Sequence, residues 1–494
     1  MGPLLASLLA PMTTGHHRET VERSDAWAAT HEKRIMQSAG VLSRDRIVAS
    51  PGWSRWLVPP AALSIHLAIG SVYSWSVFKL PLHETLRASG LLSAMPFTLG
   101  IVVLGMSAAV FGTAVERRGP RWAMSVAATC FCGGLIVAAG AAAIGQMWLI
   151  IVGYGVIGGV GLGIGYISPV STLMKWFPDR PGMATGFAIM GFGGGALIAS
   201  PWSSQLMKWF GTDRHGLAAT FLAMGVVYAV LMTMGILLVR LPPPEWQPPV
   251  VRAAAPKLPH AAGPDRTANE AIKTPQFWLL WVVLCFNVTA GIGILERAAP
   301  IYRDYFPRAA SPAALTAAAA GFVAMLSLAN SLGRIIWSSA SDAAGRKNMY
   351  RLYLGLGAVL YLVLIVAQNA SKPLFLVVCI LLLSFYGAGF ATVPAYLRDL
   401  FGYLEVGAIH GRLLTAWSTA GVLGPVIVNA IADNRIAAGV VGPDRYRWSF
   451  AIMVILLLIA LVCNELIRAP RPPSSVAAEA NTRKPASVTS GGGS

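Results

Sequence analysis

The sequence predicts an all-α membrane protein with twelve transmembrane helices in two six-helix bundles. Of its 494 residues, 55% are hydrophobic and only 12% are charged, which lies outside the usual range for soluble globular proteins. Apolar runs repeatedly reach the roughly 20 residues that cross a bilayer core. The second half of the chain also repeats sequence landmarks of the first half.

Twelve runs have the length and composition of a membrane span. The first serves as the insertion signal, because the opening MGPLLASLLAPM lacks a basic n-region and leads into about 40 polar residues. Charged stretches separate the second run from the third and the eighth from the ninth, and LPPPEWQPP follows the sixth. The runs are residues 57–79, 95–115, 121–144, 148–172, 183–206, 217–240, 276–298, 314–340, 350–368, 373–397, 408–431 and 448–468.

The distribution of basic residues predicts the orientation of the chain. With both termini in the cytoplasm, about 25 Lys and Arg residues fall in cytoplasmic segments and about 11 face outside. We therefore expect a multi-pass protein of the cell inner (cytoplasmic) membrane. Its segments are a cytoplasmic N-terminal segment (1–52), a six-helix bundle (53–240), a cytoplasmic linker (241–275), a second six-helix bundle (276–468) and a cytoplasmic tail (469–494).

The composition also argues against several classes of protein. The net charge of +17 is spread over loops and termini, which indicates contact with the lipid bilayer and not with nucleic acid. The G-x-G-x-x-G match in GYGVIG follows no predicted strand and lies within a membrane-length run. Without an ATP-binding P-loop, a metal cluster or a catalytic Ser or Cys arrangement in the sequence, we expect no enzymatic activity, cofactor or metal. We also expect the protein to function as a monomer.

An internal repeat relates the two halves at offsets of 224 to 226 residues. Segment 165–201 aligns with segment 389–425, and FGTAVERRGPR (111–121) aligns with WSSASDAAGRK (337–347). Such a repeat predicts two bundles related by a pseudo-two-fold axis along the membrane normal, with the substrate between them. The landmark pairs are Pro169 with Pro394, Phe177 with Phe401, Gly186 with Gly411, Pro201 with Pro425, Glu116 with Asp342 and Gly119 with Gly345.

Both charged loops resemble a signature of the major facilitator superfamily, which implies the major facilitator fold. An acid, basic residues and glycines at this spacing allow tight packing and a charge network that holds one state of the protein. The first copy has Glu116 in place of the usual Asp, and ordinary positive-inside loop charge is the alternative interpretation. The predicted gating residues are Gly112, Glu116, Arg117, Gly119, Arg121, Asp342, Gly345 and Arg346.

Four stretches resemble the oxalate:formate antiporter family and, more distantly, the monocarboxylate transporters. They are AIGSVYSWSVFKLPL, KWFPDRPGMATGFAIMGFGGGA, EAIKTPQFWLLWVVLCFNVTAGI and SLANSLGRIIWSSASDAAGRK. The resemblance spans residues 53 to 468, and its most specific part is the loop between the fourth and fifth runs. It implies exchange or symport of small organic carboxylates.

Arg334, in the eighth run, is the predicted anion-binding residue. An unpaired Arg in the membrane interior costs about 2.5–3.5 kcal/mol, and a bound carboxylate would compensate it with two oxygens that match the guanidinium. Its repeat mate is Ala108, so the architecture alone does not require an Arg. The alternative is a structural ion pair, or an Arg whose side chain snorkels to the cytoplasm.

Two departures from the related families bear on the substrate. The oxalate transporters carry a Lys in the eleventh helix where this chain has Trp417, and one fixed cation suits a monoanion better than oxalate. The monocarboxylate transporters place an Asp one turn before the Arg, where this chain has Asn330, which we also expect to bind the substrate. If a proton is carried with the substrate, His66 is the candidate residue for it, and a hydrogen-bonded packing role is the alternative.

Aromatic residues complete the predicted pocket. The resemblance implies that Tyr73, Tyr386 and Phe390 lie beside the substrate, and Trp417 with its repeat mate Phe192 is placed to close the cavity. Aromatic walls exclude water and so strengthen an Arg to carboxylate contact. The alternative for all five residues is packing between helices or a position at the bilayer interface.

Together these features predict a secondary active transporter of small organic carboxylates that works by alternating access. A monocarboxylate such as formate, lactate, pyruvate or glyoxylate is favoured, carried by exchange or proton symport. The alternative is an oxalate:formate antiporter. An anion channel and a transporter-derived sensor are less favoured.

Overall fold

The computed structural model describes residues 42–244, 246–248, 263–308, 311–367 and 371–468. Within them, twelve helices are long and apolar enough to cross a membrane, which confirms the predicted all-α, twelve-helix fold. They are α1 (Arg55–Leu86), α2 (Leu92–Arg118), α3 (Pro120–Ile144), α4 (Met147–Trp176), α5 (Pro181–Phe210), α6 (Arg214–Leu238), α7 (Pro275–Leu295), α8 (Ala314–Ala344), α9 (Arg346–Val366), α10 (Lys372–Phe401), α11 (Val406–Ala437) and α12 (Arg447–Leu466).

The predicted spans match these helices closely. Eight lie wholly inside the helix observed, and the other four end two or three residues beyond it. Most helices extend past the apolar run at one or both ends, because a helix continues into polar residues where it leaves the bilayer core. Four helices are irregular within the membrane. A tight 3₁₀ stretch lies in α1 at Ser71–Trp75, and α11 breaks at Leu414. Wider π-helical turns lie in α4 at Ile151–Ile157 and in α9 at Leu352–Leu356.

The turns between α2 and α3 and between α8 and α9 have the same local design. Gly119 (φ +90°) and Gly345 (φ +86°) each end one helix and begin the next. A left-handed conformation of this kind is inexpensive only for glycine. The repeat in the sequence is therefore a repeat in backbone geometry.

The halves meet where α2 packs on α11 and α8 packs on α5. In the first contact, a Cβ at Gly411 would overlap the carbonyl oxygen of Ala108. In the second, a Cβ at Gly186 would lie 2.5 Å from the carbonyl oxygen of Arg334. These four residues form two repeat pairs, so the same close approach of helices occurs twice. The charged Arg334 side chain belongs to only one of the two contacts.

The chain ends of the two bundles lie on one side of the molecule, with both charged loops. There Leu241 pairs with the backbone of Ile47 and Ala49 (2.7 and 2.9 Å). Residues 1–41 of the N-terminal segment, residues 245 and 249–262 of the linker and residues 469–494 of the tail lie outside the described residues. The proposed domain boundaries stay predictions. We call this side of the molecule the gate side and the opposite side the cavity side.

Candidate functional site

A cavity of about 610 Å³ lies between the two halves, on the cavity side. Its walls come from the halves of α1, α5, α7 and α8 that are remote from the charged loops, with Phe97 of α2, Pro425 of α11 and residues 298–300 after α7. Tyr73 and Asn330, two of the predicted pocket residues, line it, and so does Lys79 of α1. Most of the wall is apolar, with few polar groups, as is usual for a small-molecule site.

Arg334 contacts two residues of the cavity wall, Asn330 and Gly193, and does not snorkel to the surface, since it is only 1% exposed. Its Nε donates to the side-chain oxygen of Asn330 (3.2 Å), and its Nη1 donates to the carbonyl of Ile189 (3.1 Å). The remaining nitrogen, Nη2, has no partner among the described residues. Both acceptors are neutral, so neither hydrogen bond neutralises the charge.

The guanidinium lies beside Gly193, a residue that lines the cavity. A Cβ at this position would be 2.8 Å from Nε and 3.0 Å from Cζ of Arg334, closer than a rigid packing would allow. On another side the Phe390 ring lies 5.5 Å from Cζ, within the range of a cation–π contact. Glycine at 193 thus leaves the space that the guanidinium occupies directly behind the cavity wall.

The predicted aromatic residues form a buried layer on the gate side of the cavity. The ring of Trp417 lies 4.6 Å from Phe390 and 5.4 Å from Phe192. Phe192 also lies 5.4 Å from Tyr73, and Phe390 lies 6.0 Å from Tyr386. All five rings are therefore connected, and they separate the cavity from the gate side.

Tyr166 of α4 is a member of this layer that the sequence analysis missed. Its ring lies 5.2 Å from Phe192, 5.5 Å from Trp417 and 6.4 Å from Phe390. The repeat contained the signal, because Gly165-Tyr166 aligns with Gly389-Phe390. The centre of the layer thus consists of two repeat pairs, Tyr166 with Phe390 and Phe192 with Trp417.

Several polar atoms in this region lack a hydrogen-bond partner among the described residues. They include the hydroxyl groups of Tyr73, Tyr166 and Tyr386 and the indole nitrogen of Trp417, although Tyr73 and Tyr386 lie near enough to interact. Buried donors are usually paired in folded proteins. Unpaired donors near a guanidinium nitrogen that has no partner can donate hydrogen bonds to an anionic ligand.

His66 is fully buried and takes part in a different arrangement. Its two ring nitrogens face the carbonyl oxygens of Ala62 (3.1 Å) and Tyr166 (3.2 Å). His410 of α11 is also fully buried, with its ring 5.8 Å from that of Tyr166. Neither ring nitrogen of His410 has a partner within the described residues.

The predicted gating acid Glu116 joins the two halves on the gate side. Its carboxylate accepts hydrogen bonds from Lys175 (2.5 Å), Ser171 (2.5 Å) and the backbone N–H of Gly407 (3.0 Å). Gly407 lies in the first turn of α11, where a negative charge is stabilised by the helix dipole and by free N–H groups. Glu116 belongs to the first half of the chain and Gly407 to the second.

Asp342 makes the reciprocal contact from the second half. Its carboxylate accepts from the backbone N–H groups of Gly182 and Met183 at the start of α5, both at 2.9 Å. Arg346 donates to Asp342 (2.5 Å) and lies 3.4 Å from Asp399. Each acid therefore binds the first turn of a helix in the opposite half, and both contacts lie on the gate side.

The other predicted gating residues have varied positions. A Cβ at Gly112 would lie 2.8 Å from the Cα of Ala408, so this glycine permits the contact of α2 with α11. Gly119 and Gly345 form the turns described above. Arg117 is exposed, and Arg121 is partly buried near the start of α3.

Comparison with known proteins identifies the family to which the chain belongs. The model of the Major Facilitator Superfamily matches residues 61–327 and 307–492. The chain is 26% identical over 384 residues to an oxalate:formate antiporter of Oxalobacter formigenes, covering 77% of this chain and 86% of that protein. It is 25% identical over 362 residues to apicoplast pyruvate carrier 1 of Toxoplasma gondii, covering 63% of each.

Solved structures agree on the fold. The crystal structure of FucP, a Major Facilitator Superfamily transporter, in the outward conformation matches with a TM-score of 0.61 at 11% identity, over 85% of this chain and 99% of that chain. Two family-model matches that together span nearly all twelve helices, and a fold shared with a solved member, lead to one conclusion. The chain belongs to the Major Facilitator Superfamily and is a multi-pass membrane transporter.

Proposed function

We propose that this protein carries small monocarboxylates across the membrane by alternating access, with Arg334 as the residue that binds the carboxylate. The supporting observation is the unpartnered Nη2 of a buried guanidinium that contacts the cavity-wall residues Asn330 and Gly193. A carboxylate there would compensate the charge and accept two parallel hydrogen bonds. Tyr73, Asn330 and Tyr386 would orient the anion, and Phe192, Phe390 and Trp417 would exclude water.

The gate supports the alternating-access part of the proposal. The structure has a cavity on one side and two reciprocal acid to helix contacts on the other. Breaking these contacts would free α11 and α5 to separate from α2 and α8. We assign the gate side to the cytoplasm of the inner membrane, with both termini there, because the Lys and Arg residues concentrate in those segments.

The relatives support a carboxylate substrate. One matched protein is named as an oxalate:formate antiporter and another as a pyruvate carrier. Both names describe small carboxylates, but they differ in charge. A monocarboxylate is favoured for this chain, because the layer beside Arg334 holds Trp417 in the place where the resemblance implies a second cation.

Oxalate:formate exchange is the second candidate, and Lys79 is the observation that favours it. Lys79 lies in the cavity wall on the helix that carries Tyr73. A second positive charge in the same cavity would attract a dianion more strongly than a monoanion.

His66 is the proposed carrier of a coupled proton. A neutral imidazole has a single N–H, whereas both of its nitrogens face carbonyl oxygens. Both contacts are hydrogen bonds only when each nitrogen carries a proton. This geometry supports proton symport over simple exchange.

Uptake by proteoliposomes tests the proposal. Labelled formate, lactate, pyruvate and oxalate would be offered with or without an acidic outside and with or without internal counter-substrate. We expect saturable pyruvate or lactate uptake that an inward proton gradient accelerates. Saturable oxalate exchange with higher affinity than any monocarboxylate would favour the second candidate, and non-saturable conductance would indicate a channel.

A further inference from the structure

His410 occupies a position between the gate and the aromatic layer. It lies on the first segment of α11, Val406–Leu413, three residues after Gly407, whose N–H binds Glu116. At 1.5 Å of rise per residue, this is about one helical turn inward from the gate. Its ring is 5.8 Å from the ring of Tyr166, and it is 0% exposed. In this state it is sealed from both sides of the membrane.

The imidazole of His410 is nevertheless chemically unsatisfied. Both of its ring nitrogens lack a hydrogen-bond partner among the described residues, as does the hydroxyl of the adjacent Tyr166. His66, at the same burial, has an acceptor for each nitrogen. An imidazole always carries at least one N–H, so His410 keeps a buried donor unpaired. Such a group calls for an explanation beyond packing.

The neighbouring contacts show when His410 would gain a partner. Glu116 holds the first turn of α11, and Gly411 packs directly on the backbone of Ala108 in α2. Both contacts join opposite halves of the protein, so both must break when the gate side opens. The segment from the gate to the Tyr166 layer then becomes the inner end of a cavity on the gate side, and His410 lies on its wall.

We infer that His410 is the carboxylate contact of the gate-side-open state: its N–H donates to an oxygen of a small monocarboxylate that enters from, or leaves to, the gate side. The inference rests on the proposed function. Arg334 binds the anion on the cavity side of the aromatic layer, and His410 binds it on the gate side of that layer. The contact requires a neutral imidazole and no proton transfer.

Sided exchange measurements test this inference. Right-side-out and inside-out membrane vesicles would exchange labelled pyruvate against saturating pyruvate on the far face, for the parent chain, His410→Ala and His410→Gln. Loss of a hydrogen bond to the anion should raise the half-saturating pyruvate concentration at the gate face about tenfold in His410→Ala. The value at the cavity face should stay within about twofold, since that side uses Arg334. Gln, which keeps an N–H donor, should restore most of the loss.

Four outcomes are decisive. Equal changes at both faces would show a structural role for His410, and no change at either face would show no role; each overturns the inference. Arg334→Lys in the same vesicles separates the two proposals. If it retains parental exchange, the proposed function fails. If it is inactive and His410→Ala has no sided effect, only the inference fails.

Discussion

The side-chain oxygen of Asn330 accepts a 3.2 Å hydrogen bond from Nε of Arg334, one turn later on the same helix. An amide holds the guanidinium in place without neutralising it, whereas a carboxylate at the same position would act as an internal counterion. The positive charge of Arg334 is thus oriented and still available to an anion. This relationship is the basis of the first prediction.

Asn330→Asp should weaken substrate binding, because a fixed carboxylate would compete with the carboxylate of the substrate. We expect the KM for pyruvate to rise at least about tenfold, since attraction between charges is strong in a buried site. Initial rates of uptake by proteoliposomes measure this effect. Asn330→Ser is the matched control, because it removes the acceptor without adding charge, and its KM should change less. A parental KM in Asn330→Asp would show that the anion does not bind at Arg334.

Gly193→Ala should displace the guanidinium. The added Cβ would lie 2.8 Å from Nε of Arg334, and we expect an increase of about tenfold in KM with normal membrane insertion. Gly194→Ala is the control on the same helix, since its Cβ would meet only Ser331 Oγ at an ordinary 3.6 Å. Equal KM values for the two variants would contradict the position assigned to Arg334.

Removing the gate charges should shift the protein toward the state that is open on the gate side. Glu116→Gln combined with Asp342→Asn weakens both acid to helix contacts. The measurement is the labelling rate of a single cysteine at cavity residue Ala324 by a membrane-impermeant maleimide, in a background without the five native cysteines. We expect labelling from the cavity side to slow about threefold to tenfold.

The control for the gate variant is Asp213→Asn. Asp213 caps its own helix and does not join the halves, so labelling should keep the parental rate. Unchanged labelling in the double variant would show that the two acids do not hold the closed gate.

His66→Gln should separate proton coupling from substrate movement. Gln can still bond to one of the two carbonyl oxygens that face His66, but it cannot gain or lose a proton near neutral pH. We expect pyruvate counterflow to persist, while acceleration by an inward proton gradient falls below about twofold. The comparison is uptake with and without the gradient in parent and variant. Gradient-driven uptake by the variant equal to that of the parent would remove His66 from the proton path.

Much of the fold could be predicted because apolar length and the repeat are both visible in the sequence. The repeat paired Phe192 with Trp417, and their rings are in contact. The sequence does not show which face of each helix is buried, because helices that are apolar on nearly every face have no distinct buried side. For this reason the burial of His410 and Tyr166 could not be predicted from the sequence, although Tyr166 aligns with Phe390.

The interior position of Arg334 also depended on the structure. In the sequence, Arg334 lies past the middle of the predicted span 314–340, where a long side chain can reach water. The polar stripe of Ser327, Asn330 and Arg334 was visible in sequence, but only packing against Gly193 and Ile189 shows that the stripe faces the other half. The close contacts of Arg334 with Gly186 and Gly193 of the other half bring the charge to the centre of the protein.

The most direct test of the central claim is counterflow of labelled pyruvate by Arg334→Lys in proteoliposomes, with reconstituted protein quantified. A lysine keeps the positive charge but loses the paired donors that match a carboxylate. The account predicts a loss of at least about tenfold in kcat/KM with normal insertion and folding. Parental counterflow by Arg334→Lys would contradict it and return Arg334 to a structural role.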